Sequence, residues 1–158
     1  MEPQLVPLAH LRSSVATAQG RALVEELAER HSRNSGARIR HYMRIKTKAA
    51  YETATAAFLA ELLLAHSSDR RNQWLSFSLD KNRFSGQPVS SRMFDNVRKT
   101  WSKERLVQVK RHIPGRHSSD ELFPTERLTR YRATAKLLKI CAERGITPDN
   151  VTKHFKID

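Results

Sequence analysis

Apolar residues recur at helical spacing in two early stretches of the chain. From Val15 to His31, the residues Leu23, Val24, Leu27 and Ala28 fall at the 3.6-residue period of one helix face. Gly20 weakens that helix slightly, and the polar run from Ser32 to Gly36 ends it. A second helix is expected from about Lys48 to His66, with Thr47 as its N-cap. Tyr51, Ala54, Phe58 and Leu62 form its apolar stripe, widened by Leu59 and Leu63, and its many alanines favour helix.

The period then changes. Trp74 to Leu79 alternates, with Leu75, Phe77 and Leu79 on one face, which predicts a short half-buried strand. Asn82, Gly86 and Pro88 mark a turn. Leu106 to Ile113 alternates again, with Val107, Val109 and Arg111 set against Gln108, Lys110 and His112, and Pro114-Gly115 turns it. Leu128 to Ala133 reads as its partner strand. Thr134 caps a helix from Ala135 to Arg144 that buries Leu137, Leu138 and Cys141, and Gly145 follows as its C′ residue. Thr147-Pro148 opens a last short helix, with Pro at its first position and with Val151 and Phe155 as anchors.

The helix from Ser90 or Ser91 to Lys103 is the most informative element. At a helical turn per 3.6 residues, Arg92, Asn96, Lys99 and Lys103 fall within roughly 60° of one another. Phe94, Val97 and Trp101 occupy a similarly narrow arc on the opposite side. One face is suited to a core, while the other presents cations and an amide. Arg can bond guanine and Asn can bond adenine in the major groove, each through two hydrogen bonds. Lys supplies phosphate contacts, as does a hydroxyl such as Ser91 at the helix start.

Charge supports this reading. The 158 residues hold 29 Lys and Arg against 16 Asp and Glu, for a net charge of +13 and a pI near 10.6. Residues 30–48 carry seven of the bases and no acid, and residues 90–117 carry eight bases and two acids. Two short segments thus hold the excess, as in an electrostatic footprint for phosphates. The first includes Arg40 and Arg44 of a basic arm. The second includes Lys110, Arg111, Arg116 and His117 around the turn of the hairpin.

Other chemistry is poorly represented. The seven His show no H-x-x-x-H spacing and the one Cys, Cys141, sits in an apolar helical run, so neither a metal nor any other cofactor is expected. Glycine is scarce, and there is neither a phosphate-cradling glycine loop nor a G-x-S-x-G elbow. Tyr131, between Arg130 and Arg132, has the look of a strand-transfer nucleophile, but a packed tyrosine flanked by two outward-facing arginines is the simpler reading. The start of the chain lacks a basic leader followed by an apolar run, and no apolar stretch approaches the ~18 residues that span a bilayer. A cytoplasmic, nucleoid-associated protein without enzymatic activity is expected.

The stretches Ser76-Phe77-Ser78-Leu79-Asp80-Lys81-Asn82-Arg83-Phe84-Ser85-Gly86 and Arg130-Tyr131-Arg132-Ala133-Thr134-Ala135-Lys136-Leu137-Leu138 lie in an order of helix, strand, basic helix and hairpin. That order resembles the winged helix-turn-helix superfamily, including bacterial regulators and plasmid-type replication initiators. It departs from the pattern before the basic helix, where Lys81 to Gln87 is short and polar for a further helix. The resemblance implies a mainly α fold with a small β wing: a winged-helix-like domain over residues 47–158, with an N-terminal helical extension over 1–46 that is a candidate dimerisation element. It also implies groove and phosphate contacts at Ser91, Arg92, Asn96, Lys99 and Lys103, and wing contacts at Lys110, Arg111, Arg116 and His117. The expected partner is double-stranded DNA, bound by a transcriptional regulator that is a candidate homodimer. Alternatives are a replication initiator or accessory factor of a plasmid or mobile element, and an RNA-binding protein.

Overall fold

The computed structural model describes residues 12–34, 45–67, 74–77, 89–110 and 129–157. Within them the chain is mainly helical with a small antiparallel β component. In chain order the elements are β1 (Ser14–Val15), α1 (Ala18–Asn34), α2 (Ile45–Ala65), β2 (Leu75–Phe77) and α3 (Ser91–Lys103). They continue with β3 (Val107–Lys110), β4 (Thr129–Ala133), α4 (Ala135–Glu143), α5 (Val151–His154) and β5 (Phe155–Lys156).

The centre of the fold is α2. The expected one-sided stripe is present, with Tyr51, Ala54, Phe58, Leu59, Leu62 and Leu63 all buried. Burial, however, runs without a break from Ala54 to Ala60, so nearly every side of the helix is covered. The alanines at 54, 56, 57 and 60 explain how: a methyl side chain lets neighbouring elements approach closely. α1 and α3 pack on α2 from different sides, and β1, β2, β4 and α5 also touch it. The apolar stripe of α1 (Leu23, Val24, Leu27 and Ala28) is buried inside this chain.

Several boundaries differ from those expected. α1 starts at Ala18 rather than Val15, because Val15 pairs with Phe155 in the antiparallel β1–β5 bridge. The Thr17 hydroxyl accepts the Gly20 N–H at 3.1 Å, as an N-cap does. Thr47 is not the cap of α2 but lies inside it, since Ile45 and Lys46 are already helical and nothing at Thr47 interrupts the turn. Pro148 likewise does not open α5. The Asn150 side chain accepts from Thr147 N–H and donates to the Gly145 carbonyl, holding 148–150 as a turn, and α5 begins at Val151.

Other local expectations hold. Ser90 caps α3 through the Met93 N–H at 3.1 Å. Thr134 caps α4. Gly145 has φ +75°, and Gly145 N–H and Ile146 N–H donate to the carbonyls of Ala142 and Cys141, closing α4 in a Schellman motif. The hairpin strands β3 and β4 pair antiparallel, with Val109 opposite Tyr131. β2 adds to the other edge of β4, giving the sheet order β2-β4-β3. The outer parts of the expected strands, the turn before α3 and the hairpin tip lie outside the described residues.

Candidate nucleic-acid interface

α3 is fixed to the core by three side chains that are fully buried: Phe94, Val97 and Trp101. Phe94 meets the Phe58 ring edge-on at 5.3 Å, and Trp101 stacks on Phe58 with centroids 5.2 Å apart. Phe58 also meets Tyr131 of β4 edge-on at 5.5 Å. One ring on α2 therefore sets α3 and the sheet relative to each other. Such aromatic contacts are worth about 0.5–1.5 kcal/mol each beyond the area they bury.

With that side seated, the opposite side of α3 must face out. Arg92, Lys99 and Lys103 are exposed and Asn96 is half-buried. Among the described residues, no carboxylate forms an ion pair with Arg92, Lys99 or Lys103. The helix therefore carries a stripe of three exposed cations and one amide on a rigid backing. Lys103 also lies in the last helical turn, where a cation is favoured by the helix dipole.

The flank of this stripe borders the hairpin. Arg98, Lys99, Ser102 and Lys103 of α3 line an open pocket of about 190 Å³ with Val109 of β3 and Tyr131 of β4. Arg98, which the sequence reading did not single out, is half-buried there. Its Nε donates to Asp95 at 2.7 Å and its Nη1 to the Tyr131 hydroxyl at 3.4 Å. Burial pulls the Arg98 pKa down, but the Asp95 hydrogen bond and the interaction with Tyr131 outweigh it, leaving the pKa above its ordinary value. Arg98 thus ties α3 to β4 rather than extending the free stripe. An Arg–Asp pair three residues apart on a helix is the signal that could have marked it.

Lys110 is exposed at the end of β3. Of the other expected contacts, Arg40, Arg44, Arg111, Arg116 and His117 and the side chain of Ser91 lie outside the described residues. The structure brings together Arg92, Asn96, Lys99 and Lys103 as one surface, with the hairpin beside it.

The sheet holds a second group that the sequence reading left unused. Strand alternation turns Tyr131 and Ala133 inward and Arg130 and Arg132 outward. The Arg132 guanidinium lies 4.7 Å from the centroid of the Trp74 ring. Its Nε and Nη2 donate to Gln108 Oε1 at 3.3 and 3.0 Å.

Tyr131 is 1% exposed and its hydroxyl accepts from Arg98, so its side chain sits as a packed residue on the inner face of the sheet. Cys141 is fully buried, and burial, with Glu26 nearby, pushes its thiol up to about 12. Its place is in the core. No helix of the described residues is long and apolar enough to cross a membrane. The chain matches no family model, no curated protein and no solved structure.

Proposed function

We propose that this protein binds double-stranded DNA sequence-specifically, with α3 in the major groove, and acts as a transcriptional regulator. One observation carries the reading: Arg92, Asn96, Lys99 and Lys103 share the outward face of a helix whose inward face is locked by Phe94, Val97 and Trp101. Groove reading needs side chains held on a rigid element, because a loosely held Arg or Asn loses the geometry of two simultaneous hydrogen bonds to one base.

The division of labour follows from chemistry. Arg92 and Asn96 take base edges, while Lys99 and Lys103 take phosphates on either side. Lys110 places a further cation on the adjoining hairpin, within one of the two segments that hold the excess positive charge. The element order, and the way β2 joins the hairpin as β2-β4-β3, support a winged-helix arrangement in which β3 and β4 form the base of the wing.

The test is selection of bound duplexes from a random pool, followed by titration against salt. A defined motif is expected, with affinity falling by a log–log slope of about −0.9 per phosphate neutralised. An unenriched pool, or an affinity indifferent to salt, would overturn the reading.

A further inference from the structure

We propose that the outer face of the β2-β4-β3 sheet is a second binding surface, for single-stranded DNA. The inner face is covered by α2 and α3 through Tyr131. The outer face carries two lateral rows. In the first, Trp74, just before β2, joins Arg132 of β4 and Gln108 of β3 by the cation–π contact and the paired hydrogen bonds. In the second, the register sets Arg130 opposite Lys110. Gln108 and Lys110 are exposed, and Trp74, Arg130 and Arg132 are half-buried.

Three features fit an unpaired strand. The first is planarity: Arg132 is held over the indole and pinned to Gln108, so the row presents stacked flat groups of the kind on which a nucleobase stacks. The second is charge. Among the described residues, no carboxylate pairs with Arg130, Arg132 or Lys110. Arg130 and Arg132 sit two residues apart on one strand, about 7 Å along it, and offer phosphates a track beside the stacking row. The third is exclusion. A duplex hides the faces of its bases inside its own stack, so Trp74 has nothing to stack on there, whereas a single strand exposes them. The choice of DNA over RNA rests on the reading of α3 as a duplex-DNA element, since a strand opened beside a bound duplex is DNA.

The full chain is titrated with an oligo-dT of about 15 nucleotides and, separately, with a mixed-sequence duplex of about 20 base pairs. The chain holds two tryptophans. Trp101 is fully buried, so quenching of tryptophan fluorescence by oligo-dT reports Trp74. Arg132→Gln and Trp74→Ala are expected to weaken oligo-dT binding by about tenfold or more, with duplex binding within about twofold of the unaltered chain. Lys99→Ala, which removes a phosphate contact of α3, is expected to do the opposite: weaker duplex binding, with oligo-dT binding within about twofold of the unaltered chain. Three results overturn the proposal: no binding of oligo-dT, binding that both sheet variants leave unchanged, or tighter binding of oligo-rU than of oligo-dT. Loss of the duplex result alone overturns the role of α3 and leaves the sheet surface standing.

Discussion

Phe58 and Trp101 stack with their ring centroids 5.2 Å apart and their planes 24° from parallel, and neither side chain reaches solvent. This contact joins the central helix to α3 and decides which side of α3 faces outward. The Trp101 Nε1 is buried with no hydrogen-bond partner among the described residues. Trp101→Ala is expected to destabilise the chain by about 3–5 kcal/mol. Trp101→Phe keeps an aromatic ring there, so a smaller loss, under about 1.5 kcal/mol, is expected. Urea unfolding of both variants checks this, and equal losses would contradict the stacking role.

On the outward face, Arg92 and Lys99 are expected to respond differently to truncation. Arg92→Ala should cost ~1–3 kcal/mol on a selected site and relax preference at one base position. Lys99→Ala should weaken binding evenly across sequences and lower the salt slope by about 1. Binding isotherms at several salt concentrations, on the selected site and on single-base variants, separate the two roles. If Arg92→Ala weakens every sequence alike, Arg92 contacts phosphate and not a base.

Gly20 tests the junction between the two ends of the chain. A Cβ at that position would lie 2.7 Å from the backbone carbonyl oxygen of His154. That carbonyl also accepts the Ala16 N–H at 2.9 Å, and the Thr17 hydroxyl hydrogen-bonds His154 Nδ1 at 2.8 Å, so it has little room to retreat. Gly20→Ala, which in an open helix would stabilise, is expected here to cost about 1–3 kcal/mol. Thermal unfolding checks the sign.

His66 supplies a pH dependence. Burial, and secondarily the nearby Arg132 charge, lower its pKa from the usual 6.5. Protonation therefore favours the unfolded chain, which holds its proton more tightly. The contribution of His66 is full above about pH 6.5 and declines as pH falls toward its folded-state value. His66→Gln is expected to flatten the rise of stability with pH up to about 6.5. Urea midpoints across that range, compared with the unaltered chain, measure the difference, and an unchanged slope would rule His66 out.

Much of the local structure was legible in the chain. Ser90, Thr134 and Gly145 act where their chemistry places them, because a cap depends on a hydroxyl or a missing Cβ within a few residues of the helix end. The two faces of α3 were legible for the same reason: helical geometry alone separates Arg92 and Asn96 from Phe94 and Trp101. The boundaries at Val15 and Pro148 differ from those expected because groups outside the local pattern decide them. Val15 pairs with Phe155 from the far end of the chain, and the Asn150 side chain takes over the turn that Pro148 seemed to open.

By itself, then, the amino-acid order determined which side chains lie together on each helix or strand, since periodicity follows from backbone geometry within a single element. Tertiary structure alone decided that α2 is enclosed on nearly all sides, that β2 closes on β4, and that Trp74, Arg132 and Gln108 form one row across the sheet. Those residues are up to 58 positions apart in sequence. Their meeting depends on strand order and register, and burial of Tyr131 against Phe58 selects these among the pairings that the chain's local pattern allows.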